Sequence, residues 1–250
     1  MSSRELPKVL VEGKFLPKDF TVSVSASTRK VDPAIEAQLD ALWEVKKKKA
    51  DEEGKNCYNG ISYRLNSIQE QDGKLVLDFG TFEYKVRDGL IAIPEYFELS
   101  EEYYRKGCFS TATVKTSDGL YVMAELSGKS MNENTVDLIG GIMETNIAFS
   151  SGKDIFRSFY DELEEEAGIK EGDIQECLLK AIYLEVRTNV AFYFEATLNI
   201  SSGDLLKRFE ENKDEDIQAL RAYSRNEYID ALEHHRSPNK QFIARQLLQI

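Results

Sequence analysis

Histidine is nearly missing from this chain of 250 residues: only His234 and His235 carry an imidazole, side by side near the C-terminus. That scarcity argues against a histidine-based triad or a zinc site built on spaced histidines. Cysteine is scarce too. Cys57, Cys108 and Cys177 are odd in number and lack metal-type spacing, so they read as buried, reduced thiols. No apolar run approaches the ~20 residues needed to cross a bilayer, and the opening Met-Ser-Ser-Arg-Glu-Leu-Pro lacks the apolar stretch of a signal peptide. A cytoplasmic protein without a membrane partner is expected. Positive charge is in deficit: 32 Lys and Arg against 44 Asp and Glu leave a net charge of −12. Such a surface argues against general nucleic-acid binding, and an anionic substrate would need bound cations to supply local positive charge.

What the chain does have is a concentrated acidic helix. The run Asp161-Glu162-Leu163-Glu164-Glu165-Glu166-Ala167-Gly168-Ile169 brings Glu162, Glu165 and Glu166 together, because residues three and four apart are neighbours on a helix. Leu163 turns to the core, and Gly168 supplies a C-terminal stop. Upstream, the apolar run Leu138-Ile139 ends in Gly140-Gly141, where a backbone can approach a ligand closely. A glycine loop before an acid-faced helix suits holding divalent cations against a diphosphate. A solvated charged face is the competing reading, since like-charge neighbours cost only about 0.2–0.5 kcal/mol per pair.

The remaining pattern is mixed α/β. A strand at 21–25 precedes a helix announced by Asp32-Pro33. Ile35, Leu39, Leu42 and Trp43 form its apolar stripe, and Lys46 to Lys49 lie at its negative end. That lysine run reads as a solvated helix end, with a phosphate patch as the alternative. Strands at 61–65 and 75–79 flank the turn Asp72-Gly73. Between 80 and 106, Phe82, Tyr84 and Val86 alternate, while 99–105 looks helical and amphipathic. Beyond Gly107, strands at 110–115 and 120–126 form a hairpin around Asp118-Gly119, and 136–139 is a further strand. After a loop at 142–152, Ser151 with Asp154 opens the acidic helix, whose buried stripe is Ile155, Phe156, Phe159 and Leu163. Strands at 178–187 and 191–200, an acidic segment at 210–216, a strand at 217–223 and two closing helices complete the chain. Elements interleave without a regular βαβ repeat, which favours an α/β sandwich with a mixed sheet.

The order of glycine pair, loop, and helix ending Glu-Glu-x-Gly-apolar resembles the signature of the Nudix hydrolases. Glu162, Glu165, Glu166, Gly168, Ile169 and Gly141 fall on that pattern. Two features depart from it. Asp161 stands where the family has arginine, and the loop after Gly141 is longer, with Ile147 at the nominal place of a loop acid. Arg157 could pair with Asp161 and help order the helix. The UDP-sugar-cleaving Nudix hydrolases with an N-terminal extension share such departures. The local text is also similar to theirs at Tyr58-Asn59-Gly60, Tyr63-Arg64-Leu65, Asp154-Ile155-Phe156, Arg187 and Ala191-Phe192-Tyr193.

The resemblance implies a Nudix-type α/β/α sandwich over 107–250, preceded by a smaller α+β N-terminal domain over 1–106. It implies Mg²⁺, or alternatively Mn²⁺, held by Glu162, Glu165 and Glu166. Gly140, Gly141 and Arg187 would bind substrate, and Glu210, Glu211 and Glu215 are candidates for a loop base. Tyr63 and Arg64 could border the substrate, though interface packing suits them better. The expected reaction is hydrolysis of a UDP-sugar to UMP and a sugar 1-phosphate. ADP-ribose or a dinucleotide is the alternative substrate, and a nucleotide sensor that does not cleave its ligand is the alternative class. Exposed apolar area on the first segment leaves a homodimer open.

Overall fold

The computed structural model describes residues 7–53, 59–126, 136–185, 189–211 and 217–248. In chain order its elements are β1 (Lys8–Phe15), β2 (Phe20–Val24), α1 (Pro33–Glu52), β3 (Ile61–Gln71), β4 (Lys74–Glu83) and α2 (Tyr84–Gly89). There follow β5 (Cys108–Lys115), β6 (Tyr121–Leu126), β7 (Val136–Asp137), α3 (Gly152–Ala167), β8 (Ile174–Leu184) and β9 (Val190–Leu198). The chain closes with α4 (Ser202–Glu211), β10 (Ile217–Tyr223), α5 (Arg225–Glu233) and α6 (Pro238–Phe242). No described helix is long and apolar enough to cross a membrane.

A strand that is apolar on both sides must be covered on both faces, and β9 is such a strand. It lies inside the larger sheet, of order β1-β8-β9-β5-β6-β10 with β7 paired to β6. Its β5 neighbour runs parallel and its β8 neighbour antiparallel, so the sheet is mixed. Alternate side chains of a strand face opposite ways. Phe192, Phe194, Ala196 and Leu198 join one buried cluster, which includes Ile155, Phe156, Phe159 and Leu163 of α3 together with Leu205 and Phe209 of α4. Ala191 and Tyr193 join the other, with Tyr228 and Leu232 of α5 and Phe242 of α6. Helices therefore cover both faces of a central sheet. Phe159 and Phe194 fix the depth of α3: their rings stack at 4.2 Å with 5° between planes.

A second sheet, β2-β4-β3, stands beside the first. Its hairpin turns at Asp72 and Gly73, both left-handed. The chain crosses the 106/107 division twice over. β1 pairs antiparallel with β8, and Tyr63, Leu77 and Phe79 share a buried cluster with Phe156, Phe192 and Phe194.

Several expectations need correction. Residues 202–211 form α4, where the sequence reading has no helix and marks only an acidic segment from 210 to 216; Leu205 and Phe209, four apart, bury its inner face. Residues 99–105 form no α-helix. A single 3₁₀ turn spans Glu101–Tyr103, and the Tyr96 hydroxyl accepts the Arg105 N–H at 2.8 Å. The alternation Phe82-Tyr84-Val86 breaks because β4 ends at Glu83 and α2 begins. β8 starts at Ile174 rather than 178, and β1 forms over Lys8–Phe15, where the sequence pattern announces no strand. Of the expected strand at 136–139, only Val136–Asp137 pairs with β6; the chain then crosses to β5.

Candidate active site

That crossing builds one wall of the site. Ile139 and Ile142 make isolated bridges to Ala112 and Phe109 of β5, and Ser110 N–H donates to the Gly141 carbonyl at 2.8 Å. Gly140 has φ +144, and a Cβ there would collide with the Ser110 carbonyl and lie 2.8 Å from Thr111 Cα. Only glycine fits so close to another backbone in this conformation. A Cβ at Gly141 would instead overlap the Glu162 carboxylate. The glycine pair thus does two jobs: Gly140 admits the β5 backbone, and Gly141 admits Glu162.

The facing wall is α3. Asp154 fastens its start, accepting the Ser150 and Ser151 N–H groups at 2.9 and 2.8 Å. Gly168, left-handed at φ +66, ends it; Gly168 N–H reaches the Glu164 carbonyl and Ile169 N–H the Leu163 carbonyl, both at 3.0 Å. With Ile155, Phe156, Phe159, Leu163 and Ala167 buried, the opposite face presents Ser158, Asp161, Glu162, Glu165 and Glu166. These five residues line one cavity of about 300 Å³ with Gly141, Ile142, Glu144, Asn146 and Ile147. Glu166 is tied across it, accepting the Gly140 N–H at 2.9 Å.

The electrostatics of this arrangement are costly. The acids crowd the last turns of α3, where the helix dipole already places negative partial charge, and no basic residue stands in the last turn. Burial pushes the Glu162 carboxyl up to about 8, with Glu166, Glu165, Glu144 and Asp161 adding repulsion. Burial, and then Glu165, also raises Glu144. No Lys or Arg lines the cavity among the described residues. Packing alone gives no reason for this.

Glu162, Glu165 and Glu166 thus share a cavity beside Gly140 and Gly141. Arg187 and Glu215 lie outside the described residues. Glu210 and Glu211 sit exposed at the end of α4 and do not line the cavity. Lys47 and Lys48 pair with Glu44 and Glu52 of α1, and Lys49 with Glu53 at its C-terminal end; none of them lines the cavity. Arg157 is exposed and makes no ion pair with Asp161, so it does not order the helix that way. Tyr63 and Arg64 are buried supports rather than cavity walls. Tyr63 stacks on Phe149 at 4.1 Å; its hydroxyl donates to the Ile147 carbonyl at 2.9 Å and accepts the Phe149 N–H at 3.1 Å. Arg64 donates to the carbonyls of Arg105 and Tyr104, and burial lowers its guanidinium to about 10.

Sequence reasoning missed Glu144. Its signal was present: an acid three residues after the glycine pair, in a loop longer than the motif allows. The nominal spacing points to Ile147 instead.

Comparison with solved structures returns Nudix proteins. The chain is similar to a Nudix hydrolase from Nitrosomonas europaea at 18% identity and TM-score 0.41, over 55% of this chain and 84% of that one. It is similar to a bifunctional NMN adenylyltransferase/ADP-ribose pyrophosphatase from Francisella tularensis, complexed with AMP and Mn ion, at 14% identity and TM-score 0.41, over 66% of this chain and 45% of that one. A third likeness is to the Nudix domain of Shewanella oneidensis NrtR complexed with ADP-ribose, at 10% identity and TM-score 0.37, over 64% of this chain and 96% of that one. No protein-family profile matches the chain, and no curated protein sequence does.

The donor set fits a hard divalent cation. It is all oxygen, as Mg²⁺ and Mn²⁺ prefer, and its mutual repulsion is what such an ion would relieve. Among the described residues no group of three or more His, Cys, Asp or Glu side chains stands in an arrangement that could hold a metal ion. The fit therefore lies in donor chemistry and a shared cavity.

Proposed function

We propose that this protein is a Nudix-type pyrophosphohydrolase that depends on a divalent cation. It splits the diphosphate of a nucleoside diphosphate linked to another group, with a UDP-sugar as substrate. One observation carries the reaction class: Glu162, Glu165 and Glu166 share a cavity with the Gly140–Gly141 bend, and no basic side chain among the described residues lines it.

Glu162, Glu165 and Glu166 would hold the cation. When bound, it would neutralise phosphate charge and lower the pKa of a water. The chain supplies the rest. Gly141 leaves room for the Glu162 carboxylate, and the Gly140 N–H orients Glu166. A cavity carboxylate accepts the proton of the attacking water. Water oxygen bonds to one phosphorus as the bridging P–O bond breaks, which releases UMP and a sugar 1-phosphate.

The choice of UDP-sugar rests on the sequence resemblance at Tyr63-Arg64-Leu65, Asp154-Ile155-Phe156 and Ala191-Phe192-Tyr193. These segments support the site rather than line it, so they speak for kinship and leave substrate choice to experiment. The test is incubation with UDP-sugars, ADP-ribose and dinucleotides plus Mg²⁺, with measurement of released phosphomonoester. Cleavage of UDP-sugars first supports the reading, and preferential cleavage of ADP-ribose or a dinucleotide replaces the substrate. If nothing is cleaved but one compound raises the melting temperature, a binding role replaces catalysis.

A further inference from the structure

The strand β7 holds only Val136 and Asp137, and the chain leaves it directly for the Gly140–Gly141 bend. So short a strand has little pairing with which to fix that departure. Both of its residues are instead gripped by α6 and the turn before it, on the face of the sheet opposite α3. We propose that Lys240 is a positioning residue for the cavity: its ion pair with Asp137 sets the Gly140–Gly141 bend from behind the sheet. Its consequence for turnover rests on the function proposed above.

Each residue of β7 has its own tie. His235 Nδ1 accepts the Ser237 N–H at 3.0 Å, so the ring hydrogen sits on Nε2, which donates to the Val136 carbonyl at 3.1 Å. Lys240 Nζ lies 2.6 Å from Asp137 Oδ1, and the two side chains are only 13% and 22% exposed. An ion pair so shielded is screened far less than an open one. The same Oδ1 accepts the Leu138 N–H at 2.6 Å, just past the last pairing of β7 with β6. From there alternation divides the chain across the sheet. Leu138 enters the core under α5 and α6, and Ile139 the core under α3, where its carbonyl accepts the Ala112 N–H of β5 at 3.0 Å. Gly140 comes next, and its N–H meets Glu166.

Lys240 therefore acts on the cavity through Asp137, Leu138 and Ile139, without lining it. Its own support is firm. Phe242 and Ile243 are buried, Asn239 donates to Glu185 at 2.6 Å, and Gln241 Nε2 donates to the His235 carbonyl at 2.8 Å. Lys240 also pulls the Glu185 carboxyl down, so the test has to separate Asp137 from Glu185.

The test is amide hydrogen exchange, read by NMR on the full chain labelled with ¹⁵N-glycine. Gly140 reports the bend, and Gly168, whose N–H bonds to the Glu164 carbonyl at 3.0 Å, reports α3. Wild type is compared with Lys240→Met, Asp137→Asn and the double variant, and kcat and KM are measured on UDP-glucose with Mg²⁺. Lys240→Met should speed exchange at Gly140 by about tenfold or more while Gly168 stays within about twofold, and kcat should fall with KM little changed. Asp137→Asn, which leaves Glu185 and Lys240 in place, should do the same. The double variant should be no worse than the worse single change, because the two act as one unit. Equal acceleration at Gly140 and Gly168 would make Lys240 a support of the whole fold, and no acceleration would detach the pair from the bend. Either result overturns the proposal, as do single effects that multiply in the double variant. Faster Gly140 exchange at an unchanged kcat overturns it too, since the bend would then play no part in turnover. If wild type leaves UDP-glucose intact, the substrate named above is wrong, and the exchange data alone decide the role of Lys240.

Discussion

Glu166 accepts the backbone N–H of Gly140 across the cavity at 2.9 Å. This bond ties the last turn of α3 to a bend twenty-six residues earlier, and it brings one acid of the helix to the glycine pair. The two glycines beside it should respond differently to the same substitution.

Gly140→Ala forces a Cβ into the Ser110 backbone at φ +144. The backbone conformation alone costs about 1–3 kcal/mol, and the overlap adds to it, so thermal or denaturant unfolding should show a marked loss of stability. Gly141→Ala meets only the end of the flexible Glu162 side chain. It should keep the melting temperature near wild type while metal-dependent turnover falls by orders of magnitude. Equal stability loss in both would show that Gly141 serves the fold rather than Glu162.

Tyr63→Phe keeps the ring stack on Phe149 but removes the hydroxyl that serves Ile147 and Phe149. A buried group left without its partner costs about 1–3 kcal/mol. Urea unfolding should show a loss in that range; an unchanged midpoint would mean the 147–149 loop is held by other contacts.

Phe194→Ala removes a fully buried ring stacked on Phe159, and Phe→Ala in a core costs about 3–5 kcal/mol. Calorimetry should find a large drop in stability. A loss under about 1 kcal/mol would contradict the placement of α3 against β9.

Away from the cavity, Glu185 gives a pH dependence that owes nothing to metal. Burial raises its carboxyl from an ordinary 4.5 to about 7, against the lowering pull of Lys240, Arg105 and Asn189; Asp137 adds repulsion. Asn239 of α6 donates to it at 2.6 Å. The folded state therefore keeps a proton that the unfolded chain releases between about 4.5 and about 7. The stability this contributes is full below that window and lost as pH rises through it. Glu185→Gln should flatten the fall in urea midpoint between pH 4.5 and 7 relative to wild type. An unchanged slope would remove Glu185 as its source.

Much of this was written in local text. Ser151 with Asp154, the apolar stripe of α3 and Gly168 announced the helix from start to stop, because capping and periodicity are short-range effects. The convergence of Glu162, Glu165 and Glu166 follows from helix geometry alone. Their meeting with Gly140–Gly141 does not, since it needs the crossing from β7 to β5. Long-range pairing also hid β1, whose partner β8 lies some 170 residues on in sequence. Glu144 stands in plain text three residues after the glycine pair, but its place in the cavity depends on long-range bonds from Ser62 and Tyr63 on another sheet. In α4, the alternation of Gly203, Asp204 and a charged tail masked two buried anchors, Leu205 and Phe209, that only the packed sheet reveals.

The most direct measurement is an anomalous difference map from crystals grown with MnCl₂. It should show a peak among Glu162, Glu165 and Glu166, within coordinating reach of their oxygens and beside Gly140–Gly141. A map with no peak there, or with manganese bound only elsewhere on the acidic surface, would contradict the assignment of this cavity as a cation-dependent active site.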